Sequence, residues 1–404
     1  RCEAAGEPED ECEQRAFEAR QHYVDADTAG HLTVPGAHPD DWLDSGQCRD
    51  CFQPSFNYRP RSSVQYIMAL GNFANPKRPR RFDFGFMASS DNHTARPGTG
   101  YKEYARPHMT EARLTMAGAA MFDVGGSSEP EDPEPRSRVF DPDDYEGQFF
   151  RLREAERASS FFLTGGLIGV HATGRSRDAL WDAMERKHVY GTSGPRILVW
   201  FDLLNPPGST GRTVPMGGKA RIDTAPVFQA RAVGSFEQRP GCPDEATQAL
   251  TPEGVAKLCR GECYHPSDRR RLITRIEVVR IRPQVRPGEP VEGLIEDPWR
   301  VLPCDPDPSG CTQTFTDPEF RRGGRDTLYY VRAIEAPSPA VNAGLLRCET
   351  DADGNCLEVK PCFGVPGSDD CLAETEERAW SSPIFVEVAD DAPRIRVSAL
   401  GEGR

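Results

Sequence analysis

An aspartate and a histidine two positions apart, Asp91 and His93, follow an apolar segment that ends in a serine pair. Alternate residues of an extended segment point the same way, so this carboxylate and this imidazole can converge on one ion. Zinc, iron and manganese accept such mixed oxygen and nitrogen ligands, and a bound ion would activate water and polarise a phosphoryl or carbonyl oxygen. The pattern therefore predicts a divalent metal site. The alternative is a polar turn in which Asp91 accepts backbone N–H bonds and His93 is solvated.

Four further residues are candidates for the same site. His38 precedes a proline in a loop-rich stretch, and His171 follows a short apolar strand, so each could add an imidazole ligand. Lys102 and His108 lie in the loop after the aspartate–histidine pair and could bind an anionic substrate. For all four, the alternative is a structural or solvated side chain. Nothing in the sequence places a base beside Ser193, so this serine is not predicted to be a nucleophile.

Helices and strands alternate around these residues. Phe82, Phe84 and Phe86 alternate with other residues and predict a strand just before the metal motif. Ser176 is the predicted N-cap of the strongest helix. The other predicted elements up to this helix are helices at 11–24 and 62–74, a strand at 165–172, and the helix itself at 176–188. A helix, a strand and a polar loop in this order are typical of an α/β barrel or a doubly wound sheet.

After residue 196 the sequence becomes rich in short β-type segments, and no long helix is predicted there. Each segment contains several Val, Ile, Phe or Tyr residues and is separated from the next by a long loop. The predicted strands are 197–203, 226–232, 273–281, 327–334 and 383–388. Together with the loop cysteines they predict a disulfide-stapled, β-sandwich-like domain.

The chain contains 13 cysteines, which is many for a reducing compartment. Most lie in loops rich in Asp, Pro and Gly, often as close pairs such as Cys304 with Cys311, which predicts disulfides and an exported protein, periplasmic or extracellular. Zinc is the alternative for the C-x2-C and C-x3-C pairs, but these are far apart in the chain. The disulfide candidates are Cys48, Cys51, Cys242, Cys259, Cys263, Cys304, Cys311, Cys348, Cys356, Cys362 and Cys371, and the close pairs include 348 with 356 and 362 with 371.

Length and charge bound the class of protein. With 404 residues the chain exceeds one ordinary core, so we predict an α/β domain at 1–196 with an exposed acidic insertion at about 123–147, a β-rich domain at 197–390, and a tail at 391–404. The net charge of −14 argues against nucleic acid as a partner. No apolar run reaches the roughly 18 residues that a membrane helix needs.

The segment SSDNHTARPG resembles the last metal-ligand motif of the PHP superfamily, the polymerase-and-histidinol-phosphatase metallohydrolases. More closely, the chain resembles the C-terminal portion of a large bacterial PHP-related family catalogued as a domain of unknown function. Its similar blocks are DWLDSGQCRDC at 41–51, FGFMASSDNHTARPGT at 84–99, GLIGVHATGRSRDALWDAMERKHVYGTSGPRI at 166–197, YYVRAIEAPSPAVNAG at 329–344 and ERAWSSPIFVEV at 377–388. The third block is also similar to PHP-type hydrolases that cleave esters and carbamates.

This resemblance implies that Asp91 and His93 bind metal in a PHP-type distorted (β/α) barrel, of which 1–196 would be the C-terminal part. It implies an exported metal-dependent hydrolase whose metal-bound hydroxide, on zinc, manganese or iron, attacks a phosphoester or a related ester or amide of a small anionic substrate. The early His-x-His motif of such barrels does not occur, and the chain begins at Arg1, so we expect the back part of a longer protein. The alternative is a secreted, disulfide-rich binding protein with a catalytically inactive PHP-like domain.

Overall fold

The fold comes from a computed structural model of the chain. It describes residues 2, 6–25, 63–75, 79–88, 166–208, 211–259, 261–341, 347–350, 356–360 and 372–389. The predicted insertion at about 123–147 and the tail at 391–404 lie outside the described residues.

The described residues form helices, short and long, and many strands. The helices are α1 (Glu9–Asp25), α2 (Val64–Ala69), α3 (Arg177–Glu185), α4 (Asp244–Cys259) and α5 (Phe320–Gly323), with a 3-10 turn at Glu292–Leu294. The strands are β1 (Gly71–Asn72), β2 (Arg80–Arg81), β3 (Leu167–Val170), β4 (Val189–Thr192), β5 (Leu198–Leu203), β6 (Val214–Pro215), β7 (Lys219–Ile222), β8 (Val227–Val233), β9 (Phe236–Gln238), β10 (Pro266–Arg270), β11 (Ile273–Ile281), β12 (Ile295–Pro303), β13 (Cys311–Thr316), β14 (Thr327–Glu335), β15 (Ser338–Val341), β16 (Arg347–Thr350), β17 (Cys356–Lys360), β18 (Leu372–Thr375), β19 (Arg378–Ser381) and β20 (Ile384–Val388).

The largest sheet has eight strands, and β14 is its branching strand. Its main path runs β12-β11-β14-β19-β4-β3. The C-terminal half of β14 pairs with β19, whereas its N-terminal half pairs with β20, which in turn pairs with β7. The β20–β7 pair is parallel, and the other pairs of this sheet are antiparallel. One long strand thus holds both branches in a single layer.

A four-stranded sheet, in the order β13-β8-β5-β6, packs on one face of the eight-stranded sheet. Buried and half-buried residues alternate along β5, as expected for a strand with one face in a core. Four aromatic rings from the two sheets meet there: Phe201, Phe228 and Phe315 stack on one another, and the Tyr329 ring lies 4.6 Å from that of Phe228. We call the side of the eight-stranded sheet that contributes Tyr329 the core face.

The opposite side, which we call the outer face, buries a smaller apolar cluster. Met68 and Ala69 of α2 are fully buried against it, and Phe84 and Phe86 pack on the same cluster. The Phe86 ring meets the Tyr330 ring edge-on at 5.0 Å. Because Tyr330 neighbours Tyr329 along β14, the two tyrosines point to opposite faces.

Two predicted elements before the metal motif are shorter than the sequence indicates. The helix predicted at 62–74 ends at Ala69, because the Gln284 N–H donates to the Ala69 carbonyl and the Gln284 side chain accepts from Gly71 N–H. The strand predicted from Phe82 is wrong, since only Arg80–Arg81 pairs with another strand. Phe84 and Phe86 pack on the outer face without a ladder of backbone hydrogen bonds, whereas Phe82 is exposed.

The order of strand, helix and strand around α3 does not produce a barrel in the described part of the chain. The Ser176 hydroxyl accepts from Ala179 N–H and caps α3, as predicted. However, β3 and β4 pair antiparallel, whereas neighbouring strands of a (β/α) barrel run parallel. None of the described sheets closes into a barrel, and the fold they show is a mixed α/β arrangement of several sheets.

Three disulfides lie within the described residues. The predicted pairing of Cys304 with Cys311 is confirmed, and Cys242 pairs with Cys263. A third bond joins the N-terminal cysteines at positions 2 and 12, which were not among the candidates. Between the cysteines at 242 and 263 lies α4, two short helical segments that meet at a break at Thr251. Cys48, Cys51, Cys362 and Cys371, and the side chains of Cys348 and Cys356, lie outside the description.

None of the described helices combines the length and apolar character that crossing a membrane requires.

Candidate functional site

Of the predicted metal and substrate residues, only His171 lies in the described part of the chain. The others lie outside it: His38, Asp91, His93, Lys102 and His108. What the structure does describe is the segment that leads to the aspartate–histidine motif, residues 79–88, and the strands on which this segment rests.

Asp83 anchors this segment through two lysines. Its carboxylate accepts from the Lys187 ammonium at 2.6 Å and forms a second ion pair with Lys219. Burial alone would raise the pKa of Asp83, but the hydrogen bonds from the two lysines outweigh it, so the pKa lies below its ordinary value. The segment is therefore held by a charged contact that is present at neutral pH.

Three residues further on, the segment is attached to β4. The Phe86 N–H donates to the Ser382 hydroxyl at 2.9 Å, and that hydroxyl donates to the Val189 carbonyl at 2.5 Å. Ala88 lies directly against Gly191: a Cβ at that glycine would come within 2.8 Å of the Ala88 Cβ and 3.1 Å of its nitrogen. The glycine is thus required for this close approach, and the backbone is fixed up to three positions before Asp91.

His171 is already engaged with neighbouring groups. Its backbone N–H donates to the His188 carbonyl at 2.9 Å, and its Nε2 lies 2.7 Å from the Val199 carbonyl oxygen. A carbonyl only accepts, so Nε2 carries the proton and Nδ1 is the nitrogen left for a ligand. The ring also packs between Tyr190 and Trp200, at 5.4 and 5.8 Å.

His188 and Asp202 form a titratable group with His171 that the sequence did not indicate. Burial, followed by repulsion from Arg186 and His171, lowers the pKa of His188. Burial raises the pKa of Asp202, although Thr213 and the two histidines oppose the shift. Both shifts favour the uncharged form of the side chain, as expected for burial. The helix predicted at 176–188 includes His188, whereas α3 ends at Glu185.

Ala88 and the His171 ring lie on opposite faces of the eight-stranded sheet. Tyr190, which contacts His171, belongs to the core face, whereas Gly191, which contacts Ala88, points the other way. The alternation along β4 therefore separates the last described residues before the metal motif from the His171 group.

Within the described ranges, the only group of three ligand-type side chains with atoms close enough to share a metal ion is Cys242, Cys259 and Cys263. The ligand atoms of His171, His188 and Asp202 are too far apart to share one ion. The predicted site at Asp91 and His93 thus stays a prediction.

A carboxylate that the sequence did not place there lies beside Ser193. The Ser193 hydroxyl donates to the carboxylate of Glu377, a buried residue, at 2.5 Å. The same oxygen accepts from Arg378 N–H at 2.9 Å, and Ser193 N–H donates to the Arg378 carbonyl at 2.9 Å. These bonds join the end of β4 to the start of β19, 184 positions away along the chain, so local sequence could not reveal the contact.

Comparison with known proteins adds one match. No curated protein and no solved structure is similar at a significant level. Residues 72–202 match a family described as "Protein of unknown function (DUF3604)". The matched range includes Asp91, His93 and the His171 group, and it extends from β1 to β5.

Proposed function

We propose that this protein is an exported metal-dependent hydrolase of PHP type. In this proposal Asp91 and His93 bind a divalent ion, since zinc, manganese and iron accept a carboxylate together with an imidazole. The ion would supply Lewis acidity and an activated water for cleaving a phosphoester or a related ester or amide. His38 is a further candidate ligand. His171 would offer Nδ1, but its ring lies on the opposite face of the sheet from Ala88, so it is not a ligand in this proposal.

Two candidate side chains would recognise the substrate. Lys102 and His108 follow the motif in the chain and carry donors suited to an anionic group. The disulfides within the described residues support the export part of the proposal, because such bonds persist in oxidising compartments.

The anchoring of residues 79–88 is the observation that carries the proposal. Metal ligands need a rigid support, because small displacements weaken coordination. Here an ion-paired Asp83, the hydrogen bond from Phe86 to Ser382 and the contact of Ala88 with Gly191 hold successive parts of the segment. A solvated surface turn would not need such support on its N-terminal side.

Metal analysis of the full-length protein, purified without chelators, tests the proposal. The double variant Asp91→Asn/His93→Ala is expected to lose at least one transition-metal ion per chain while keeping its far-UV circular dichroism spectrum. It should also lose hydrolysis of the chromogenic phosphoester or ester that the wild-type protein cleaves fastest.

A matched control is Asp268→Asn/His265→Ala, which makes the same chemical changes on and beside β10. The Asp268 side chain is 90% exposed, and His265 Nδ1 lies 3.1 Å from the Pro240 carbonyl oxygen. This control should retain both metal and activity. If the motif variant and the wild-type protein carry equal metal, Asp91 and His93 form a polar turn, and the result favours the secreted binding protein instead.

A further inference from the structure

Helix α4 is folded back so that its two ends meet. A straight helix of its 16 residues would be about 24 Å long. Yet Cys242, just before α4, and Cys259, its last residue, have sulfur atoms within 4.8 Å of each other. The cause is a break at Thr251, whose φ of 60° and ψ of 162° are not helical, followed by Pro252. The element is thus a helical hairpin rather than a rod.

Thr251 sets the direction in which the chain reverses. A β-branched residue rarely adopts a positive φ, so this conformation is maintained by its surroundings. The Thr251 hydroxyl donates to Glu253 at 3.1 Å and accepts from Gly254 N–H at 3.3 Å, which caps the second half of the hairpin. The second half therefore begins in a fixed direction and returns Cys259 to the start.

The base of the hairpin extends the β9–β10 ladder and carries the disulfide between Cys242 and Cys263. Arg239 N–H donates to the His265 carbonyl at 2.7 Å, and Cys263 N–H donates to the Gly241 carbonyl at 3.2 Å. The disulfide thus joins the two chain segments at the point where the helical hairpin leaves the β9–β10 ladder. Cys259, a half-buried free thiol, approaches this bond from the end of the helix.

We propose that Cys242, Cys259 and Cys263 form a thiol–disulfide exchange site with alternative pairings. The Cys259 thiolate attacks the Cys263 sulfur, a bond forms between these two atoms, and the bond between Cys242 and Cys263 breaks. The electron pair of the broken bond leaves with the Cys242 sulfur, which takes up the proton that Cys259 gives up. Attack on the Cys242 sulfur instead gives the pair of Cys242 with Cys259 and frees Cys263. One disulfide and one thiol are present before and after, so no oxidant or reductant is needed.

Exchange at this site changes which disulfide closes the base of the hairpin. The present pair closes the base of the hairpin beside the ladder, whereas a bond from Cys259 to Cys263 would leave Cys242 unlinked to the returning segment. Tyr264, next to Cys263, stacks under the Arg196 guanidinium at 3.6 Å, so the base also touches the turn that follows β4. Each pairing therefore sets a different restraint beside that turn.

Disulfide mapping of the full chain tests the proposal with two single variants, Cys263→Ser and Cys242→Ser. Native protein is quenched in acid, free thiols are alkylated, and linked peptides are identified by mass spectrometry. We expect Cys263→Ser to contain a bond between Cys242 and Cys259, and Cys242→Ser a bond between Cys259 and Cys263. In the wild-type protein, a fraction of Cys259 should be found paired within the trio.

The Cys304–Cys311 bond is the internal control, because it belongs to no three-cysteine group in the described part of the chain. It should be found with a single pairing in every sample, and Cys259→Ser should contain only the bond between Cys242 and Cys263. Complete alkylation of Cys259 in the wild-type protein and in each variant that folds, or its linkage to a cysteine outside the trio, would overturn the proposal.

Discussion

The two faces of the eight-stranded sheet are made by alternate residues of the same strands, yet they differ in chemistry. The core face is covered by the four-stranded sheet, whose Phe228 packs against Tyr329 and is surrounded by further aromatic rings. On the outer face, a short helix and the segment 79–88 cover a smaller apolar cluster. Stability is therefore concentrated on one face, while the segment that leads to the predicted metal motif rests on the other.

Much of the outer face is held by ion pairs. Arg275 donates to Glu376 at 2.6 Å and to Glu277 at 2.8 Å, and Arg332 donates to Glu277 at 2.9 Å. Arg332 also pairs with Asp297, which accepts from Gln65 of α2 at 2.6 Å. These charges specify how α2 and neighbouring strands fit together, since an ion pair that loses one partner leaves a poorly solvated charge. The outer face thus combines a smaller apolar cluster with a network of ion pairs.

The largest expected effect comes from truncating the core between the two sheets. Phe228 is fully buried among three rings, so Phe228→Ala should lower the free energy of unfolding by about 3–5 kcal/mol. Phe86→Ala, on the outer face, removes a half-buried ring in contact with Tyr330 and should cost about 1–2 kcal/mol. Urea unfolding followed by circular dichroism measures both. Equal losses would contradict the unequal division of stability between the faces.

The next effect concerns pH at the end of β14. Burial raises the pKa of Glu335 to about 7, against the hydrogen bonds from Ser235 and with a smaller contribution from Glu377. The folded state therefore holds a proton that the unfolded state releases at a lower pH. This stabilisation is complete below the unfolded pKa of 4.5 and is lost as the pH rises through about 7.

Glu335→Gln tests this linkage, because glutamine keeps the shape without the charge. The variant should remove up to about 3 kcal/mol of pH dependence between pH 4.5 and pH 8, with its gain in stability relative to the wild type appearing at the higher pH. Unfolding free energies at the two pH values provide the measurement. An unchanged pH profile would mean that Glu335 titrates normally in the folded protein.

The sequence predicted the central strands of the large sheet better than the segment that packs on its outer face. Residues rich in Val, Ile and Tyr at 327–334 and 273–281 predicted strands that the structure confirms almost to the residue, because most positions of both strands are buried. Alternation at Phe82, Phe84 and Phe86 predicted a strand that is absent, because Phe86 N–H bonds to the hydroxyl of Ser382 instead of a neighbouring strand. Alternating apolar residues indicate that one face of a segment is buried. To form a β-strand, the segment also needs a neighbouring strand to pair with by backbone hydrogen bonds.

The candidate sites depend on contacts between distant parts of the chain, which the sequence does not encode locally. Glu335 meets Ser235 across 100 positions, and Asp83 meets Lys187 across 104. The fold-back at Thr251 was missed for a different reason: a proline after a polar residue indicates a break, but not that both sides are helical. The sequence shows which residue types are present, but not which distant residues they contact.

The smallest effect concerns the anchor of the outer face, and its pH dependence has the opposite sign to that of Glu335. The pKa of Asp83 is lowered, so its contribution is present above the ordinary pKa of about 4 and is lost as the pH falls through the folded value. Asp83→Asn should cost about 0.5–1 kcal/mol at pH 7, as for a partly exposed ion pair, and little at pH 3. The same variant should increase the rate of proteolytic cleavage near residues 82–88. If cleavage and stability at pH 7 match the wild type, the lysines do not hold this segment, and the support argued for Asp91 and His93 is lost.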